Sequence, residues 1–139
     1  MFENIVVGAD SSPTAAGAVS YAIDLAKMSG GTLHIVTAFH KGSGVNVDIP
    51  GELHQSISAV DMADSLVADL GSRARAVGVQ VRTHAASGDP AERICDVAQK
   101  VGADVVVVGN KGLQRRVLGS VPAAVARQAP CAVLIVRTT

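Results

Sequence analysis

Three short stretches of this sequence carry residue types suited to holding a small charged ligand. The most informative is Gly109-Asn110-Lys111-Gly112, followed by Leu113 to Leu118 and then by Gly119-Ser120. Glycines let a backbone come close to a phosphate, because no Cβ stands in the way. A helix opening at Ser120 would turn free N–H groups and the positive end of its dipole toward an anion. The Ser120 hydroxyl adds a donor, and Lys111, Arg115 and Arg116 add positive charge. A plain surface turn with solvated basic residues is the competing reading of the same stretch. The second stretch is Gly8-Ala9-Asp10-Ser11-Ser12. A carboxylate at Asp10 can accept from ribose hydroxyls, or it can cap a helix. The third is Phe39 with the residues before it, where backbone groups at a strand end can pair with a base edge.

Other chemistries lack their residues. A Walker A loop needs a Gly-Lys-Ser/Thr end, and no such tripeptide occurs. No Rossmann glycine pattern follows the first apolar segment, and no nucleophile elbow or Cys–His pairing is visible. His34, His40, His54 and His84 show no metal-ligand spacing and read as surface or satisfied strand histidines. Cys95 and Cys131 are the two cysteines of the chain. They read as small buried hydrophobes, and two lone thiols fit a reducing compartment. Asp61, Asp64 and Asp69 read as the solvated face of a helix.

The elements that would position the three stretches alternate from end to end. Ile5-Val6-Val7 is a strand, followed by Ser12 and Pro13 as helix cap and first turn. Ala15, Ala16, Val19, Ile23 and Ala26 recur at helical spacing until Gly30-Gly31. Leu33 to Phe39 is a second strand, and His40 to Pro50 a polar loop. Ile57, Val60, Ala63, Val67, Leu70, Ala74 and Val77 mark one face of a long second helix. Val79 to Ala85 is the third strand, and Gly88-Asp89-Pro90 opens a third helix. Val105 to Val108 is apolar throughout, as in a strand covered on both faces. Ser120 to Ala129 is a short fourth helix, and Ala132 to Val136 a final strand. Such alternation predicts a single α/β domain over 1–139, a doubly wound parallel sheet of five strands with helices on both faces. Ligands of such sheets bind beyond the carboxyl ends of the strands, where the strand order reverses. All three stretches fall at carboxyl ends.

Composition narrows the partners. The chain has 139 residues, 12 of them Lys or Arg and 12 Asp or Glu. A neutral chain lacks the excess of cations on which phosphate-backbone binding rests. Aromatic residues make up 2% of the sequence, which leaves no platform for base stacking. Nucleic acid is therefore not an expected partner. No apolar run reaches the roughly 18 residues that span a membrane, and no export signal is visible. The expectation is a cytoplasmic protein without a membrane partner.

The same residues resemble the universal stress protein family. Ile5-Val6-Val7-Gly8-Ala9-Asp10-Ser11-Ser12 looks like the family's first strand and acidic turn, and Gly88-Asp89-Pro90 like the start of its third helix. The closing stretch is similar to its signature: Ala103-Asp104, Val105 to Val108, Gly109-Asn110-Lys111-Gly112, Gly119-Ser120-Val121-Pro122, and Ala129-Pro130-Cys131 through Val136. The resemblance covers nearly the whole chain except about residues 40 to 55. It implies a flavodoxin-like sheet, of the adenine nucleotide alpha hydrolase type, with strand order 3-2-1-4-5. It also implies a homodimer joined through the last strand, residues 132–136. In the family's ATP-binding branch the residues carried over are Asp10 on the ribose, backbone at Gly8, Ala9 and Ala38 on the adenine, and Gly109, Gly112, Gly119, Ser120 and Val121 around the phosphates. That branch has nine residues before the closing Gly-Ser, whereas six, Leu113 to Leu118, separate Gly112 from Gly119 here. Arg115 and Arg116 stand in the shortened stretch and are candidates to replace lost backbone donors.

The expected function is that of a small stress-response regulator that binds ATP, with which Mg2+ can be bound, and that is at most a slow ATP hydrolase rather than a dedicated enzyme. A binder of AMP or cyclic AMP is the variant that a short loop suits. A nucleotide-free dimeric interaction protein is the alternative from the family's non-binding branch.

Overall fold

A computed structural model of the chain describes residues 1–10, 12–40, 44–47, 55–110 and 118–137. The first strand, β1 (Asn4–Gly8), leads into helix α1 (Pro13–Ser29). Ser12 caps that helix, its Oγ accepting from the Ala15 N–H at 3.2 Å. Gly30 ends it in the left-handed region, φ 74°, where a side chain would be strained. Strand β2 (Thr32–Phe39) follows, and then a ribbon of two short antiparallel strands, β3 (Gly44–Val47) and β4 (Gln55–Ser58). Helix α2 (Ala59–Ala76), β5 (Gln80–Ser87), α3 (Pro90–Val101), β6 (Val105–Asn110), α4 (Ser120–Gln128) and β7 (Ala132–Arg137) complete the chain.

The main sheet is five-stranded and parallel in each of its pairings, in the order β5-β2-β1-β6-β7. Counting only these strands, the order is the expected 3-2-1-4-5. Period-two alternation divides their side chains between two cores. Ile5, Val7, Leu33, Ile35, Val105 and Val107 pack against α1 and α2. Val6, Val36, Val106 and Val108 pack against α3 and α4. Val105 to Val108 are therefore buried one after another, because each face of β6 has its own helix layer.

Two readings need correction. The stretch from His40 to Pro50 is not loop throughout, since 44–47 pairs with 55–58. Ile57 belongs to β4, and α2 starts two residues later, where the Ser58 hydroxyl accepts from the Asp61 N–H at 3.1 Å. The alternation Gln55-Ser56-Ile57-Ser58 is strand-like, and the cap at Ser58 decides where it ends. Val60 and Val77, at 43% and 44% exposed, lie off the buried face formed by Ala63, Val67, Leu70 and Ala74. Asp61, Asp64 and Asp69 are solvated as expected. Cys95 is buried, Cys131 half-buried, and both are free thiols whose pKa burial pushes up.

Candidate functional site

The strand order reverses between β1 and β6. The chain leaves β1 toward β2 on one side, while β6 continues outward to β7 on the other. A cleft of about 280 Å³ opens there at the carboxyl ends. Gly8, Ala9 and Asp10 form one wall, Ala38 a second, and Gly109 with Gly119, Ser120 and Val121 a third. These eight candidates come from four separate elements and meet in one place. Gly112, Arg115 and Arg116, with Lys111, lie outside the described residues.

Each wall has a local cause. Beyond Gly8 the chain turns away from the sheet, and the Ala9 N–H donates to the Val36 carbonyl at 2.8 Å. Ala9 thus keeps no N–H for a base. Backbone groups alternate sides along a strand, so the N–H and C=O of Ala38 turn the same way as the Val36 carbonyl. The β1–β2 register ends at Gly8 opposite Val36, and Ala38 lies beyond it. The Phe39 carbonyl faces the other way and accepts from the Gly88 N–H at 3.0 Å, as that alternation requires. Ala38 therefore presents a donor and an acceptor to the cleft side of β2, the pattern an adenine edge needs.

Asp10 does not cap α1; Ser12 does. The Asp10 carboxylate Oδ1 accepts from the Ser12 N–H at 2.7 Å, which fixes an exposed carboxylate at the mouth of the cleft. On the opposite wall α4 begins with Gly119 as its cap and no side-chain capping bond of its own. The Gly119 N–H instead donates to Asn110 Oδ1 at 2.9 Å. Ser120 and Val121 follow as the first helical residues, their N–H groups among the donors a helix start leaves unpaired.

The sequence reading missed several lining residues, Ala15 and Pro122 among them. Pro90 and Ile94 come from α3, Thr14 from the first turn of α1, and Val108 from β6. None carries a chemical signature in sequence; each was legible only as helix opener or core. Gly109 has a packing role that the phosphate argument overlooked. A Cβ there would stand 2.7 Å from Thr14 Cγ2 and 2.8 Å from the Thr14 carbonyl oxygen. The glycine lets β6 pass against the start of α1.

A second polar cluster sits away from the cleft. His34, 4% exposed on β2, places Nδ1 3.2 Å from His84 Nε2 and Nε2 3.2 Å from Asn4 Oδ1. An amide oxygen only accepts, so His34 Nε2 carries the proton and Nδ1 accepts from His84 Nε2–H. Burial holds the pKa of both rings below the ordinary histidine value; the other imidazole and Arg82 add to this at His34, as do Lys100 and Arg82 at His84. These are satisfied strand histidines.

A doubly wound sheet with a ligand-sized cleft at its switch point places the chain in a broad class of α/β domains. Comparison with known proteins narrows it. The model of the universal stress protein family matches residues 1–137. The chain belongs to the universal stress protein family. It is 30% identical over 148 residues to universal stress protein YxiE of Bacillus subtilis (strain 168), an alignment covering 99% of this chain and all of that one. It is 32% identical over 145 residues to universal stress protein Rv1636 of Mycobacterium tuberculosis (strain ATCC 25618 / H37Rv), covering 99% and 98%. Among solved structures, a universal stress protein in complex with cAMP superposes with a TM-score of 0.77 at 32% identity, over 99% of this chain and 98% of that one. No helix among the described residues is long and apolar enough to cross a membrane.

Proposed function

We propose that this chain binds an adenine nucleotide in the cleft between β1, β2 and β6 and acts as a dimeric cytoplasmic regulator rather than as an enzyme. The observation that carries the reading is the convergence of three kinds of group on one cleft. Ala38 offers a donor and an acceptor to a base edge, Asp10 offers a carboxylate to ribose hydroxyls, and the start of α4 offers N–H groups to a phosphate. The cAMP bound by a solved relative at 32% identity supports an adenine nucleotide as the ligand class. AMP or cyclic AMP would place its one phosphate at the start of α4. ATP would carry its outer phosphates and their Mg2+ beyond that helix start, and Gly112, Arg115 and Arg116 are the sequence candidates to meet them. Binding that changes assembly or partner choice requires no catalytic base.

The dimer reading rests on β7. It is an edge strand, paired with β6 on one side, and Leu134 on it is 40% exposed. An apolar edge is covered by a partner or kept from pairing by charge.

Calorimetric titration of AMP and ATP tests the site. Asp10→Ala should weaken both by about 1.5–3 kcal/mol, the scale of hydrogen bonds to a charged group. Deoxyadenosine monophosphate should lose less than AMP from the same substitution, because one of the two ribose hydroxyls that would donate to Asp10 is already gone. Equal affinities of parent and Asp10→Ala for AMP would confine Asp10 to its bond with Ser12. A parent that binds no adenine nucleotide at millimolar concentration would place the chain with nucleotide-free interaction proteins.

A further inference from the structure

We propose that Asn110 is the positioning residue of the phosphate end of the cleft; the inference rests on the nucleotide reading above and deepens it. Asn110 is the last residue of β6, and alternation puts it on the same face as Val106 and Val108, toward α3 and α4. It is 8% exposed, so its amide oxygen needs a partner. That partner is the Gly119 N–H, nine residues along the chain. The bond ties the end of β6 directly to the start of α4, whatever the course of the residues between them.

The tie also sets how many donors α4 presents. A helix leaves its first four N–H groups unpaired. Here they belong to Gly119, Ser120, Val121 and Pro122. Asn110 takes the first, and proline has none to give. The next N–H, of Ala123, already donates to the Gly119 carbonyl at 3.0 Å. Two backbone donors remain, at Ser120 and Val121, with the Ser120 hydroxyl as a third. Three donors at one helix start suit the oxygens of a single phosphate group. Gly119 is small for the same reason: a Cβ would lie 3.3 Å from Asn110 Oδ1 and press on the tie. Asn110 thereby fixes the position of the α4 start and the number of donors that this helix start presents.

Titration of adenosine, AMP and ATP into the parent, Asn110→Ala and Asn110→Asp tests this. The parent should bind AMP more tightly than adenosine. Asn110→Ala should lower that phosphate gain about tenfold and leave adenosine affinity unchanged, since the base and ribose walls come from β1 and β2. Asn110→Asp still accepts from the Gly119 N–H but sets a negative charge beside the phosphate. It should weaken AMP and ATP, spare adenosine, and recover part of the loss as salt is raised. An unchanged ratio of AMP to adenosine affinity in Asn110→Ala would overturn the role and leave the nucleotide site standing. An equal loss for adenosine and AMP would also overturn it, because Asn110 would then only hold the fold. A parent that binds neither would remove the nucleotide reading, and this inference with it.

Discussion

Gly109→Ala separates the two reasons a glycine can stand at the end of β6. If the glycine serves a phosphate, alanine harms binding and leaves the empty protein as stable as before. The structure points to the other reason. The new Cβ would meet Thr14 Cγ2 at 2.7 Å and the Thr14 carbonyl oxygen at 2.8 Å. The methyl can rotate away, but the carbonyl belongs to the first turn of α1 and moves only with the helix. Overpacking of this kind costs about 1–3 kcal/mol. Against it, Gly109 is not among the residues with positive φ, so alanine fits the backbone and narrows the unfolded ensemble, a gain of about 0.4–1 kcal/mol. From the middle of the two ranges the net expectation is a loss of about 1.3 kcal/mol. At about 4 °C per kcal/mol for a chain of this length, the melting temperature should fall by about 5 °C without nucleotide. Thr14→Ser removes Cγ2 but not the carbonyl, so the double variant should recover part of the loss, not all. Calorimetric melting of the four proteins decides it. A Gly109→Ala variant that melts with the parent and loses only nucleotide affinity would refute the packing argument.

Two further outcomes follow from the geometry. The lowered pKa of His34 and His84 means that the unfolded chain takes up protons before the folded one. Stability should be full above about pH 6.5, the ordinary histidine value, and should decline as pH falls from there through the lower folded-state values. His34→Gln should flatten that decline in urea melts recorded across pH, and an unchanged slope would show that the pair is not its source. On β7, Leu134→Lys should shift the sedimentation of the protein toward monomer, since a charge on a sheet edge opposes pairing. A dimer that persists unchanged would place the interface elsewhere.

Much of the fold was legible because each strand and helix announces itself locally. The caps Ser12 and Asp89 with their following prolines, the run Val105 to Val108, and Gly30 after α1 all do in space what their residue types require. The β3–β4 ribbon was not legible. Its strands are four residues each, and Ile57 satisfies a helical and an alternating pattern at once. Exposure at Val60 was hidden for a similar reason, since periodicity names an apolar face but not where a cap begins it.

The cleft was legible at its ends and not in its joints. The doubly wound sheet brings Asp10, Ala38 and Ser120 to one cleft, and it was the family resemblance that implied ribose, base and phosphate as their partners. What joins them depends on which donors are already taken, and spacing does not record that. Six residues between Gly112 and Gly119 suggest a loop too short to hold phosphates as the longer pattern does. The Asn110–Gly119 bond makes the count secondary, because it sets the start of α4 by a side chain at the strand end rather than by the length of chain between. The same bond removes one donor, and Pro122 removes another. The number of donors at the α4 start is therefore set by Asn110 and Pro122, neither of which a glycine pattern singles out, and loop length alone does not record it.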